Sequence, residues 1–189
     1  MSRRDATRRV KVRIIGGKWK GRKLQVAGHS IRPTPDRARV TLFNWLAADL
    51  PGANVLDLFA GTGALGFEAL SRGADHATFV DNDGDAIGHL LRQRTRLDAA
   101  AGIEQADALR WLASQSSDQR WDVVFLDPPF DSPLLATAVA AAAGHLSEQG
   151  IIYAESDDAF DWDGAAAASG LKIWRHSRAG AVRYGLLRR

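Results

Sequence analysis

Apolar residues fall in two rhythms along this chain, and the switch between them marks its organisation. From Asn54 onward, short apolar runs alternate with stretches of helical length. The runs at 55–59, 77–81, 103–106, 123–126 and 151–154 are bounded by turns or acids and predict strands. In one intervening stretch Ile87, Leu90, Leu91, Arg94 and Leu97 recur at i, i+3, i+4 spacing, which predicts a helix. Alternating β and α units imply a mostly parallel sheet with helices on both faces. The rhythm breaks at the end. Residues 171–177 and 181–187 flank Arg178-Ala179-Gly180 and predict an antiparallel hairpin.

The front of the chain follows another pattern. Residues 1–11 read as a flexible basic arm, and 12–26 as two short strands around Gly16-Gly17. Residues 31–36 read as an extended linker, with Asp36 placed to cap a helix reaching about Ala48. On that helix Val40, Phe43 and Leu46/Ala47 share one face. Pro51-Gly52 then closes the module. The expected division is a front segment, 1–50, and a main domain, 51–189.

Composition narrows the classes. The 189 residues include no cysteine, which excludes disulfides, thiolate zinc sites and cysteine nucleophiles. The longest charge-free stretch, 132–147, is too short and mixed to span a bilayer. No apolar stretch follows the basic start, so a secretory signal is not expected, and the chain reads as cytoplasmic. The five histidines show no metal-ligand spacing, so no metal is expected. A net charge of +3 hides an asymmetry: residues 1–44 sum to +11 and the remainder to −8. A basic front on an acidic body points to a polyanion met by one end of the molecule. The candidate contacts are Arg13, Lys18, Lys20, Arg22, Lys23, Arg32, Arg37 and Arg39, with Trp19 stacking on a base.

The first stretch with chemical content runs from Asn54 to Gly66. A buried strand enters a glycine-rich turn and then a helix, and Gly61, Gly63 and Gly66 fit the dinucleotide fingerprint. That fingerprint alone is weak. Asp57, at the strand's carboxyl end, changes the reading, because it would repel a pyrophosphate and attract an ammonium group. A ligand combining an ammonium, a ribose and an adenine is S-adenosylmethionine. Asp81 ends the next strand, about 20 residues after the turn, where an acid accepts from ribose hydroxyls. Asp83 is placed to cap the following helix. Asp107 is placed either to accept the adenine amine or to cap a helix. Phe59, Ala60, Thr62, Asn82 and Ala108 complete the expected cofactor lining.

The second stretch, Asp127-Pro128-Pro129-Phe130, is more specific. Two prolines stiffen a loop just past the fourth strand and leave carbonyls without competing N–H donors. Asp127 and the Pro128 carbonyl can accept hydrogens from an exocyclic amine while Phe130 stacks on its ring. Such an amine is a poor nucleophile, and acceptors aimed at its hydrogens stabilise the charge developing on nitrogen. The catalysis this implies is positioning and electrostatics.

These residues carry a family resemblance. Asp57-Leu58-Phe59-Ala60-Gly61-Thr62-Gly63-Ala64-Leu65-Gly66 and Asp127–Phe130 together resemble two motifs of class I amino-methyltransferases. Arg13-Ile14-Ile15-Gly16-Gly17, Gly21-Arg22-Lys23-Leu24 and Arg32-Pro33-Thr34-Pro35-Asp36-Arg37-Ala38-Arg39, then Leu42–Leu46, resemble the bacterial RsmD family. The resemblance covers about residues 12–189. It implies S-adenosylmethionine-dependent methylation of guanine N2 at position 966 of 16S ribosomal RNA, within an assembling 30S subunit and by a monomer. It also implies a Rossmann-like α/β fold, a seven-stranded sheet with an antiparallel last strand. The glycine turn, Asp81 and Asp107 would then bind the cofactor, and residues 127–130 the guanine. Two positions depart from the pattern. Val40 stands where the family usually has Glu, and Asp81 is one methylene shorter than the family's frequent Glu.

Other readings fit less of the chain. A DNA or RNA adenine-N6 or cytosine-N4 methyltransferase would share the diproline loop but usually adds a target-recognition domain. A protein-glutamine methyltransferase usually has Asn at the position of Asp127. An NAD-dependent dehydrogenase would explain 61–66 but not 127–130. A non-catalytic RNA-binding scaffold would not need Asp57 and Asp127.

Overall fold

A computed structural model describes residues 12–24, 36–130 and 133–189. The basic arm at 1–11, the expected linker, Arg32 and the capping side chain of Asp36 lie outside the described residues. The described residues form nine strands: β1 (Val12–Arg13), β2 (Lys23–Leu24), β3 (Asn54–Asp57), β4 (His76–Asp81), β5 (Ala101–Gln105), β6 (Trp121–Leu126), β7 (Leu146–Ser156), β8 (Lys172–Ala179) and β9 (Val182–Arg188). The helices are α1 (Asp36–Trp45), α2 (Ala64–Ser71), α3 (Gly84–Leu97), α4 (Ala108–Ala113), α5 (Leu134–Ala143) and α6 (Trp162–Ala168). Among the described residues no helix is long and apolar enough to cross a membrane.

Seven strands form one sheet in the order β5-β4-β3-β6-β7-β9-β8. Strands β3 to β7 run parallel, and β9 enters antiparallel between β7 and β8. The sheet is covered on both faces, which is why its central strands are nearly continuous apolar runs. Side chains alternate along each strand. Val55, Phe125 and Tyr153 pack with Phe43, Phe67 and Leu90, while Leu56, Val124 and Ile152 pack with Leu112, Val139 and Trp162. The strand order reverses between β3 and β6, and ligands in such sheets bind outside the carboxyl ends at that point.

The front segment docks against α2. Strands β1 and β2 pair antiparallel, with Val12 opposite Leu24. The loop between them presses Gly17, at φ +73, so close to α2 that a Cβ there would sit 1.7 Å from the Ser71 carbonyl oxygen. Fully buried Glu68 accepts from the N–H groups of Ile15 (2.6 Å) and Gly16 (2.8 Å), and from Arg72 Nε (2.7 Å). Ser71 Oγ accepts from Trp19 N–H at 2.9 Å and donates to the Gly16 carbonyl at 2.5 Å. A buried carboxylate with several donors is costly to leave unpaired, so it fixes this loop in place.

Three periodicity expectations need correction. On α1 and the turn after it the buried residues are Ala38, Arg39, Leu42, Phe43 and Leu46, while Val40 and Ala47 are exposed, and the helix ends at Trp45. Arg39 turns inward to donate to the Arg13 carbonyl, which rotates Val40 to the outside. On α3 the buried set is Ala86, Ile87, Leu90, Gln93 and Leu97, and Leu91 is exposed. Strand β7 runs well past the expected 151–154 in both directions, because pairing with β6 and β9 holds polar residues in the ladder.

Candidate active site

The glycine turn leaves β3 and is held from three sides. Ala60 N–H donates to the Val80 carbonyl at 3.0 Å, Gly63 N–H to the Ala60 carbonyl at 2.6 Å, and Gly61 N–H to Asp81 Oδ2 at 2.6 Å. Gly61 (φ +48) and Gly63 (φ +71) both take the left-handed conformation that favours glycine. Their surroundings differ. Among the described residues a Cβ on Gly61 would meet nothing within 4 Å, so ligand can approach its backbone. A Cβ on Gly63 would lie 2.6 Å from Leu90, and one on Gly66 would lie 2.3 Å from Phe79. Gly63 therefore serves packing between α2 and α3 and Gly66 packing of α2 on the sheet, and neither is among the residues lining the cavity, contrary to their expected place in the cofactor lining.

A cavity of about 1000 Å3 opens over the carboxyl ends of β3, β4, β6 and β7. It brings together Asp57, Phe59, Ala60, Gly61, Thr62, Asp81, Asn82, Asp107 and Ala108 from the first expected site. Asp127, Pro128, Pro129 and Phe130 of the second line the same space. Parallel strands place their carboxyl ends on one edge, so segments far apart in sequence converge there.

Each acid has a distinct environment. Asp57 is buried, accepts from Gly66 N–H at 3.0 Å, and has its pKa raised to about 7. Burial is the main cause, the Gly66 bond opposes it, and the Asp81 charge adds to it. Asp127 is pushed well above the usual carboxylate range by burial, then by the charges of Glu155 and Asp57. Asp81 accepts from Gly61 through one oxygen and from Asp83 N–H through the other at 2.9 Å. Thus Asp81 supports the turn as well as facing the cavity. Asp83 caps α3 through Asp85 N–H at 2.8 Å, as expected. Asp107 caps α4 by accepting from Arg110 N–H at 2.9 Å and still lines the cavity.

The basic residues divide. Arg13, Lys18, Lys20, Arg22, Lys23 and Arg37 are exposed, and Arg96 of α3 donates to the Lys23 carbonyl. Arg39 is buried, donates to the Arg13 carbonyl at 3.0 Å, and lines the cavity with Arg37. The expectation that Trp19 stacks on a base is corrected. It is only 6% exposed, packs in the core, and carries Lys18 Nζ 4.4 Å from its ring centroid.

Sequence reasoning missed Glu155 and the β8–β9 turn, both of which line the cavity. The signal for Glu155 was present, since it follows the apolar run 151–154 as Asp57 and Asp127 follow theirs. The turn offers only Ala179, Gly180 and Ala181, residues with no chemical signature.

Residues 12–188 match a family model described as Conserved hypothetical protein 95. Ribosomal RNA small subunit methyltransferase D of Escherichia coli is 43% identical over 150 residues, covering 77% of this chain and 75% of that one. The solved Escherichia coli protein yhhF superposes with a TM-score of 0.84 at 39% identity, covering 95% of this chain and 98% of that one. The T. thermophilus 16S rRNA N2 G1207 methyltransferase RsmC, solved with AdoMet and guanosine, shares the fold. Its TM-score is 0.74 at 19% identity, covering 96% of this chain and 50% of that one. With its glycine turn and diproline loop meeting in one cavity, this chain belongs to the RsmD family.

Proposed function

We propose that this protein transfers a methyl group from S-adenosylmethionine to the exocyclic N2 of a guanine in 16S ribosomal RNA, of the position-966 type. The supporting observation is the single cavity lined by Asp57, Gly61 and Asp81 on one side and Asp127–Phe130 on the other. The relatives' names support the same reaction class.

The site fits the cofactor. Gly61 leaves room for close approach, Asp81 stands at the strand end suited to a ribose, and Asp57 is a buried acid that a cationic group would ionise. When bound, S-adenosylmethionine supplies a sulfonium methyl already activated toward a nucleophile. Asp127 and the Pro128 carbonyl accept the hydrogens of the guanine amine and orient its lone pair. Asp127, held above the usual carboxylate range, is suited to take the proton that nitrogen loses. Phe130 stacks on the base. The exposed cations of the front segment grip phosphates beside the target, and assembling 30S particles in the cytoplasm are the natural substrate for the monomer.

The test incubates the protein with isotopically labelled S-adenosylmethionine and either unmodified small-subunit particles or protein-free 16S rRNA. Nucleoside digestion and mass spectrometry should find label in N2-methylguanosine, more from particles than from free RNA. Label in adenine N6 or cytosine N4, or none in either substrate, overturns the proposal.

A further inference from the structure

Glu155 is the acid in the cavity that the reaction above does not use. It is 2% exposed and sits at the end of β7 beside the diproline loop. Its placement follows from register. Leu126 of β6 pairs with Ala154 of β7, so Asp127 and Glu155 are the next residues on adjacent strands. Adjacent strands lie about 4.8 Å apart. Phe125 and Tyr153, two residues back, pack in the same core cluster, so Asp127 and Glu155 leave the same face of the sheet. The carboxylate is also held in place. Tyr153 Oη donates to Glu155 Oε1 at 2.7 Å, and the Tyr153 ring lies 6.1 Å from Phe125 and 6.4 Å from Tyr184, centroid to centroid.

Asp127 and Glu155 stand side by side on a buried cavity wall, where each further donor that a ligand brings to a carboxylate is strongly favoured. The bases differ in what they present beside the exocyclic amine. Guanine offers a second donor, its ring N1–H. Adenine and cytosine offer a ring nitrogen that accepts, and a carboxylate facing it would be repelled.

The geometry points to Glu155 as the residue that selects guanine, accepting the ring N1–H while Asp127 holds the N2 amine. Tyr153 is a positioning residue that aims the Glu155 carboxylate. The inference rests on the methylation proposed above and adds how the same site rejects other amino-bearing bases.

The test uses 2-aminopurine, which keeps the N2 amine but has an acceptor at N1. Small-subunit particles are reconstituted with 16S rRNA carrying guanine or 2-aminopurine at the nucleotide the wild type methylates. Wild type should prefer guanine in kcat/KM by about 10- to 100-fold, the scale of one hydrogen bond to a charged group. Glu155→Gln, whose amide can donate to N1, should bring that ratio to within a few-fold of one or invert it. Tyr153→Phe keeps the ring packing and should give an intermediate ratio. Cofactor titration by calorimetry identifies variants that remain folded, and Tyr153→Phe carries the test if Glu155→Gln does not fold. An unchanged guanine preference in the folded variants, including an equal loss on both bases, overturns the inference. Failure of wild type to methylate guanine N2 at all would instead fail the function proposed above.

Discussion

Asp57→Asn should stabilise the protein near neutral pH while weakening its hold on the cofactor. The native carboxyl is buried, and its pKa rises from 3.8 to about 7 on folding. Between those values the folded state keeps a proton that the unfolded chain has lost. Stability therefore declines as pH rises through that window, and the loss is complete above about pH 7. A shift of roughly three pKa units corresponds to about 4 kcal/mol at 1.36 kcal/mol per unit. Asparagine keeps a neutral acceptor for Gly66 N–H, as the protonated carboxyl does, so it avoids that cost without losing the bond. The gain of about 4 kcal/mol should raise the melting temperature by about 8–16 °C at pH 8 in a chain of this size. Near pH 4 the gap should shrink to about 0.6 kcal/mol, since the folded wild-type carboxyl is protonated and the unfolded one is nearly half protonated. Thermal melts followed by tryptophan fluorescence from pH 4 to 8 measure the gap. Calorimetry over the same range should show wild-type affinity for S-adenosylmethionine rising to about pH 7 and then levelling, with weaker and flatter binding in the variant. Parallel stability curves for the two proteins would refute the assignment of Asp57 as a strained, ligand-matched acid.

Asp127→Ala should leave cofactor affinity nearly unchanged by calorimetry and lower turnover by about 100-fold or more in the labelled-methyl assay. Asp81→Ala should weaken cofactor binding at least about tenfold, because it removes ribose contacts and the acceptor that holds Gly61 N–H. Glu68→Ala should destabilise the fold by at least about 3 kcal/mol in urea titrations, since three donors lose their buried acceptor. For the same reason, deleting residues 1–34 should abolish cofactor binding along with RNA binding. A truncation that still binds S-adenosylmethionine normally would count against that anchoring.

The sheet was legible because its strands are buried on both faces and so appear as uninterrupted apolar runs. Residues 123–126 show this, lying inside β6 as observed. Helix faces were less legible, since a face is defined by what covers it. Arg39 is charged and was read as surface, yet α1 turns it inward to the cavity and leaves Val40 outside. Trp19 was misread for the complementary reason. Its basic neighbours suggested an RNA platform, while its own burial follows from the docking of Gly17 and Glu68, contacts that join residues about fifty positions apart. Long-range docking of that kind leaves no local pattern.

The site itself was partly legible because chemistry repeats at equivalent places in the sheet. Asp57, Asp127 and Glu155 each stand where β3, β6 or β7 ends or has just ended, and the parallel arrangement gathers them on one cavity wall. Each alone has an ordinary explanation as a polar residue ending an apolar run. Burial first, and then neighbouring charges, makes their ionised forms unfavourable, which raises the pKa values of Asp57 and Asp127. Ligands relieve the strain in different ways. A cationic group answers Asp57, and hydrogen-bond donors on a base answer Asp127 and Glu155. A cavity arranged so binds its cofactor and its base most strongly when both are present, because each favours the ionised forms of Asp57 and Asp127 that the other needs. Cofactor affinity should therefore rise when the guanine-bearing RNA is bound, by the same factor that RNA affinity rises with cofactor.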